Sequence, residues 1–107
     1  MKYNKNFGKE CIKAWGEKSQ IMLAIEEMSE LTKELCKYIR RTENAGEYTD
    51  NKIAETISNI QEETADVLLT VSQMASLFGE SEVERIQDEK TARCQKKLDD
   101  WKAKQGK

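Results

Sequence analysis

The absence of proline is the feature of this sequence that most limits its possible folds. The chain has 107 residues, no proline and only five glycines. Proline and glycine are the strongest interrupters of helices, so long stretches of this chain can stay helical. Apolar residues recur at steps of three and four, and no stretch alternates apolar and polar residues for long. The sequence therefore predicts an all-α fold.

The glycines and polar stretches divide the chain into four predicted helices. The first runs from about Phe7 to Glu17 and is ended by Gly16. The second is capped by Ser19 and runs to about Arg41, before a polar loop over residues 42–51.

The third and fourth helices follow that loop. The third begins near Lys52, is capped by Asp50 and ends at Gly79. The fourth begins with a capping-box pattern and ends in a lysine-rich tail that is expected to fray: Ser81-x-x-Glu84 and residues 99–107.

The second and third helices each carry one apolar stripe. Short connections favour antiparallel neighbours, so we expect one domain over residues 1–107, built as an antiparallel bundle of about four helices. A monomer this small leaves apolar faces uncovered, which predicts a homo-oligomer, either a dimer or a tetramer. The stripes consist of Ile21, Ile25, Met28, Leu31, Leu35 and Ile39, and of Ile53, Ile57, Ile60, Thr64, Val67, Val71, Met74 and Phe78.

Missing residue types exclude several kinds of chemistry. The chain has no histidine, which excludes Ser-His-Asp hydrolysis, Cys-His nucleophiles and histidine-bound zinc. Cys11, Cys36 and Cys94 are far apart and odd in number, so we expect reduced, buried thiols and no disulfide framework. No apolar run is long enough to cross a bilayer, and no secretion signal stands at the N-terminus. The sequence thus predicts a cytoplasmic protein with no membrane partner.

The net charge of −2 hides an acidic centre between two basic ends. Residues 20–89 carry sixteen acids and six bases, whereas residues 1–19 carry five bases and two acids, and residues 90–107 carry seven bases and two acids. An acidic centre repels phosphate unless a metal is present, so we expect no nucleic-acid partner.

Two pairs of acids stand out within this centre. Glu27 and Glu30 in the second helix, like Glu63 and Asp66 in the third, lie three residues apart and so share one helix face. The first pair is offset from its apolar stripe by roughly 90–150° and the second by roughly 80–140°, in the same rotational sense. Both also lie about a dozen residues from the loop, so an antiparallel hairpin brings all four carboxylates together.

Four converging carboxylates need protons or cations to neutralise them. Oxygen-only ligands select hard ions such as Mg²⁺, with Mn²⁺ as a substitute, and Mg²⁺ usually keeps water and substrate phosphates among its ligands. A phosphate ester or anhydride is then the natural substrate. The alternative is a solvated acidic face, which is the commoner meaning of one such pair but fits two matched pairs less well.

Lys90 lies within the apolar side of the last helix, with Arg93 one turn later. Such a lysine commonly packs its stem and extends its ammonium to water. The functional alternative is a cationic clamp for phosphates that the metal does not cover.

These residues together resemble the all-α nucleoside triphosphate pyrophosphohydrolases of the MazG type, which include dCTP pyrophosphatases and the dimeric dUTPases. The paired acid motifs carry the resemblance, and short stand-alone members of phage type are most similar. The matching stretches are Trp15-Gly16-x-x-x-Gln20, Ile25-Glu26-Glu27-Met28-Ser29-Glu30-Leu31, Glu62-Glu63-Thr64-Ala65-Asp66-Val67-Leu68 and Lys90-x-x-Arg93.

The resemblance implies Mg²⁺-dependent hydrolysis of a nucleoside triphosphate between the α and β phosphates. It makes Glu27, Glu30, Glu63 and Asp66 the metal ligands and catalytic acids, and leaves open which glutamate takes the proton of water. It places Lys90 and Arg93 on the phosphates, and Trp15 and Gln20 on the base or sugar. Two departures from the family are the longer loop over residues 42–51 and Asp88, where many members have asparagine.

A second interpretation remains open from the residues alone. The chain can equally be a non-catalytic interaction domain, whose acidic face binds a basic partner and whose apolar stripes only build an oligomer.

Overall fold

The computed structural model describes residues 6–44, 46 and 48–106. Ala45 and Glu47 of the predicted loop and Lys107 of the predicted tail lie outside the described residues. The described chain forms four helices and no strand, which confirms the all-α prediction. It divides into two compact units, one up to Leu77 and one from Phe78 onward. The helices are α1 (Phe7–Trp15), α2 (Glu17–Glu43), α3 (Asp50–Phe78) and α4 (Glu80–Gln105).

Gly16 separates α1 from α2 with a single residue. Its backbone has φ 90° and ψ 150°, a conformation that is essentially restricted to glycine. Its N–H donates to the carbonyl of Ile12 at 2.8 Å, and its carbonyl accepts from the N–H of Gln20 at 3.2 Å. The predicted break at Gly16 is confirmed, but the predicted cap at Ser19 is wrong because α2 already begins at Glu17.

The starts of α3 and α4 also differ from the predicted caps. Thr49, not Asp50, caps α3, since its hydroxyl oxygen accepts from the N–H of Lys52 at 3.2 Å. Gly79 precedes α4 at φ 120° and no side chain caps this helix, so the predicted capping box is wrong. Ser81 and Glu84 lie inside α4.

α4 is helical up to Gln105, which includes most of the tail over residues 99–107 that the sequence predicts to fray. No glycine or proline occurs between Gly79 and Gly106, and lysine, alanine and glutamine favour helix. None of the helices, over the part of the chain that the structure describes, combines the length and apolar composition needed to cross a membrane.

α2 and α3 form an antiparallel hairpin. Near the loop, Arg41 donates from Nη1 to the hydroxyl oxygen of Thr56 at 2.6 Å. Further from the loop, Asn59 donates from Nδ2 to Oε1 of Glu34 at 3.4 Å. As the residue number falls along α2, that of its partner on α3 rises, which defines the antiparallel pairing.

Most buried residues of α2 and α3 are polar, and the bonds of Arg41 and Asn59 make the seam between the two helices polar at two heights. The buried residues of these helices are Gln20, Ala24, Glu34, Thr56, Thr70, Ser72 and Gln73, and Thr56 has no exposed surface at all. The predicted apolar stripes lie beside this seam and are only partly covered. Their most exposed members are Ile25, Met28, Leu35 and Ile39 on α2, and Ile57, Val71 and Phe78 on α3.

The orientation of each helix about its own axis explains why the stripes are only partly covered. Two packed helices bury one narrow contact face each, and in this hairpin that face lies between the apolar stripe and the acidic pair. The hairpin thus brings the acidic pairs toward its inside and leaves apolar surface outside.

α1 packs against α3 through Gly8. A Cβ at this position would lie 2.7 Å from Oγ of Ser76 and 3.1 Å from its Cβ, closer than normal contact. A residue without a side chain therefore sets the spacing between α1 and α3. Gly8 and Cys11 are the buried residues of α1. The expected burial of the thiols is confirmed for Cys11 and is wrong for Cys36 and Cys94, which are exposed.

We predict that Gly8→Val lowers the free energy of unfolding by about 2 kcal/mol, because the added methyl groups overpack this contact. Urea denaturation followed by circular dichroism measures the change. Gly106→Val is the matched control, since a Cβ there meets nothing nearer than 3.6 Å. An equal loss of stability in both variants would contradict the assigned role of Gly8.

Candidate metal site

Three carboxylates meet across the α2–α3 seam. Glu27 of α2 and Glu63 and Asp66 of α3 each place one oxygen within 4.8 Å of the other two. All three residues are partly buried. We call these residues the acidic triad. Its oxygens are close enough to bind one cation together, although acidic groups also cluster where no ion binds.

Burial and the two neighbouring acids change the pKa of Glu27. The pKa of Glu27 is raised from its ordinary 4.5 to about 6, first by partial burial, then by a hydrogen bond to Glu63 and by the charges of Asp66 and Glu63. Oε2 of Glu63 is buried and accepts no hydrogen bond. The triad thus contains a carboxylate oxygen that lacks both solvent and a donor.

Glu30, the fourth predicted ligand, is not part of the triad. It lies on the same helix as Glu27 but is exposed. Residues three apart on a helix differ by about 60° in direction, which turns Glu30 away from the seam. Its role as a ligand stays a prediction.

Sequence reasoning did not single out Glu34, which is buried in the same seam. Its Oε1 accepts from Lys37 at 3.3 Å and from Asn59 at 3.4 Å, while its Oε2 is buried without a partner. Glu34 follows Glu27 by seven residues, and this spacing places both on one helix face. That spacing was the signal that could have identified it.

The two residues expected near the base or sugar lie in different surroundings. Trp15 is 65% exposed and lines an open pocket of about 700 Å³ at the α1–α2 corner, together with Lys18, Met22 and Leu23. Gln20 is only 4% exposed and does not line this pocket. A contact between Gln20 and a substrate would require its side chain to become exposed.

The predicted phosphate clamp lies on α4. Lys90 and Arg93 are exposed and, with Cys94 and Lys97, line a shallow groove of about 240 Å³. Asp88 is also exposed on α4. These residues belong to the second compact unit.

Comparison with known proteins finds no significant match for this chain. The chain matches no family model, no curated protein and no solved structure at a significant level. The resemblance to MazG-type enzymes therefore depends on the sequence motifs alone, and the family assignment stays a prediction.

The raised pKa of Glu27 predicts how the stability of the metal-free protein depends on pH. The folded chain holds this proton up to about pH 6, whereas the unfolded chain releases it near 4.5. Stability is therefore highest below pH 4.5 as far as this group is concerned, and it falls as pH rises through 6. We expect Glu27→Gln to remove this loss of stability with rising pH.

Thermal unfolding in a chelator, followed between pH 4 and pH 8, measures the effect. Glu26→Gln is the matched control because Glu26 is exposed on a neighbouring face. The assignment fails if the two variants show the same pH dependence.

Proposed function

We propose that this protein is a Mg²⁺-dependent nucleoside triphosphate pyrophosphohydrolase, which cleaves its substrate between the α and β phosphates. The observation that carries the proposal is the acidic triad, in which Glu27, Glu63 and Asp66 converge from two helices. The motifs that resemble MazG-type enzymes contain all three residues.

The triad fits a hard divalent cation. Its donors are all oxygens, and the buried Oε2 of Glu63 has no other partner. Three or four carboxylates leave room for water and for substrate phosphates around the ion. When bound, Mg²⁺ would neutralise phosphoryl charge and make a coordinated water more acidic.

The protein's own residues then have distinct tasks. Glu27, Glu63 and Asp66 hold the cation, with Glu30 as the proposed fourth ligand, and one of the glutamates accepts the proton of the attacking water. Lys90 and Arg93 stabilise the negative charge of the departing pyrophosphate. Their guanidinium and ammonium groups suit this task because they are exposed cations on one helix face.

The open pocket beside Trp15 is the proposed site for the base. An exposed indole offers a flat apolar surface on which a base can stack. Met22 and Leu23 extend that surface, while Lys18 supplies a polar group at its border.

Metal binding and pyrophosphate release test the proposal together. We expect the wild type to bind Mg²⁺ or Mn²⁺ by calorimetry and to release pyrophosphate from a panel of canonical and modified nucleoside triphosphates. Glu63→Gln removes a charged ligand, so it should weaken metal binding roughly tenfold or more. It should also lower the rate of pyrophosphate release by roughly 100-fold.

Glu62→Gln is the matched control, since Glu62 is the exposed neighbour of Glu63 and lies outside the triad. Equal metal binding in both variants would overturn the assigned site. Metal binding without hydrolysis of any triphosphate would instead favour the non-catalytic interaction domain.

We also propose that the protein is a homo-oligomer, either a dimer or a tetramer. The hairpin exposes a groove of about 380 Å³ lined by Leu35, Tyr38, Ile57, Ile60 and Gln61. A second hairpin with the same stripes has the apolar surface needed to cover it.

A charge in this groove should weaken the assembly. We expect Leu35→Glu to shift the protein toward lower mass in sedimentation equilibrium, because a carboxylate would have to be buried. Ser58→Glu introduces the same group at an exposed position of α3 outside the groove. A wild-type mass of 12.4 kDa, that of one chain, would refute oligomer formation.

A further inference from the structure

α4 has an apolar side that is exposed in the part of the chain that the structure describes. Every residue from 81 to 106 is exposed, including Val83, Ile86, Leu98 and Trp101. At 100° per residue these four large side chains lie within about 120° of one another around the helix. Such a one-sided surface is typical of a helix that packs against another element.

The positions of the apolar residues are symmetric about Ala92. Val83 precedes this position by nine residues and Trp101 follows it by nine. Ile86 precedes it by six and Leu98 follows it by six. Two copies of α4 placed antiparallel about Ala92 therefore bring Val83 level with Trp101, and Ile86 level with Leu98.

The charges of α4 are divided between its two halves with opposite sign, although Glu84 lies level with Asp100 in such a pair. Residues 80–89 carry five acids and one base, and residues 90–105 carry six bases and two acids. In an antiparallel pair each acidic half lies beside a basic half, with Glu80 level with Lys104 and Glu82 level with Lys102. A parallel pair would place like charges together, which is unfavourable.

We infer that α4 is a surface for self-association, on which α4 of a second copy packs antiparallel about a twofold axis at Ala92. The interface is isologous, since each contact occurs twice. At its centre Lys90 lies level with the small side chain of Cys94, which leaves room for the lysine stem to extend toward water. This inference does not rest on the proposed catalytic function, and because Lys90 would lie at the centre of the pair, it is an alternative to the phosphate role proposed above for Lys90 and Arg93.

Site-specific cross-linking tests the register. The exposed Cys36 and Cys94 are first replaced by serine, and Val83→Cys and Trp101→Cys are then made in separate chains. With a short bis-maleimide, we expect a covalent dimer only when the two chains are mixed. In the predicted pairing, two copies of position 83 lie about 27 Å apart along the helices, too far for the reagent.

Two different cross-linking results would contradict the inference. No covalent dimer in the mixture would overturn the antiparallel register. A dimer formed as readily by the Val83→Cys chain alone would indicate a parallel pair, and it would equally overturn the inference.

Charge exchange provides the second test. We expect the pair of substitutions E80K and E82K to weaken the association step roughly tenfold, and K102E with K104E to do the same, because each places like charges together. All four changes in one chain restore opposite charges and should restore the association. Sedimentation equilibrium measures each constant in the full chain, and Lys90 and Arg93 stay unchanged.

The quadruple variant decides the outcome. Recovery of association shows that the two halves of α4 face each other in the assembly. If the quadruple variant associates no better than the double variants, α4 serves a different partner and the inference is wrong.

Discussion

The polar seam between α2 and α3 is the constraint on which the rest of the first compact unit depends. A hairpin of two long helices ordinarily buries its apolar stripes, but this one buries glutamine, threonine and glutamate. The cross-helix bonds of Arg41 and Asn59 supply partners to some of these polar groups at two heights, whereas Oε2 of Glu34 and Oε2 of Glu63 have none. These directional bonds specify the register more strictly than apolar contacts do. The acidic triad exists because that register places Glu27 opposite Glu63 and Asp66.

The triad also contains a group that titrates near neutral pH in a chain without histidine. Burial, together with the neighbouring Glu63 and Asp66, raises the pKa of Glu27 to about 6, close to that of an imidazole. A divalent cation bound at the triad would compete with this proton for the same oxygens. A proton and a metal ion are therefore alternative solutions to one electrostatic problem.

The helical period allowed much of this structure to be predicted from the sequence. The class, the four helices, the break at Gly16 and the meeting of Glu27 with Glu63 and Asp66 all follow from spacing along helices. The helix caps could not be predicted in the same way. Ser19 is of a residue type that caps helices, but α2 begins directly after Gly16, so Ser19 lies inside the helix. The exposure of the apolar stripes could not be predicted from the sequence either. A stripe identifies a face that avoids water, but it does not identify which element covers that face.

The position of Glu30 outside the triad could not be predicted from the sequence either. Glu30 has the same spacing to Glu27 that Asp66 has to Glu63, yet only the α3 pair lies wholly at the seam. The exact rotation of each helix about its axis decides this difference, and that rotation depends on packing across the whole interface.

Gly16 limits where this chain can accept insertions and deletions during evolution. Because one residue serves as the end of α1 and the start of α2, the junction contains no spare length. An inserted or deleted residue there would change the direction in which α1 leaves α2. The pocket beside Trp15 would be lost, and so would the close approach of Gly8 to Ser76. Insertions are thus tolerated far better in the loop between α2 and α3 than at this junction, so length variation among descendants should accumulate there.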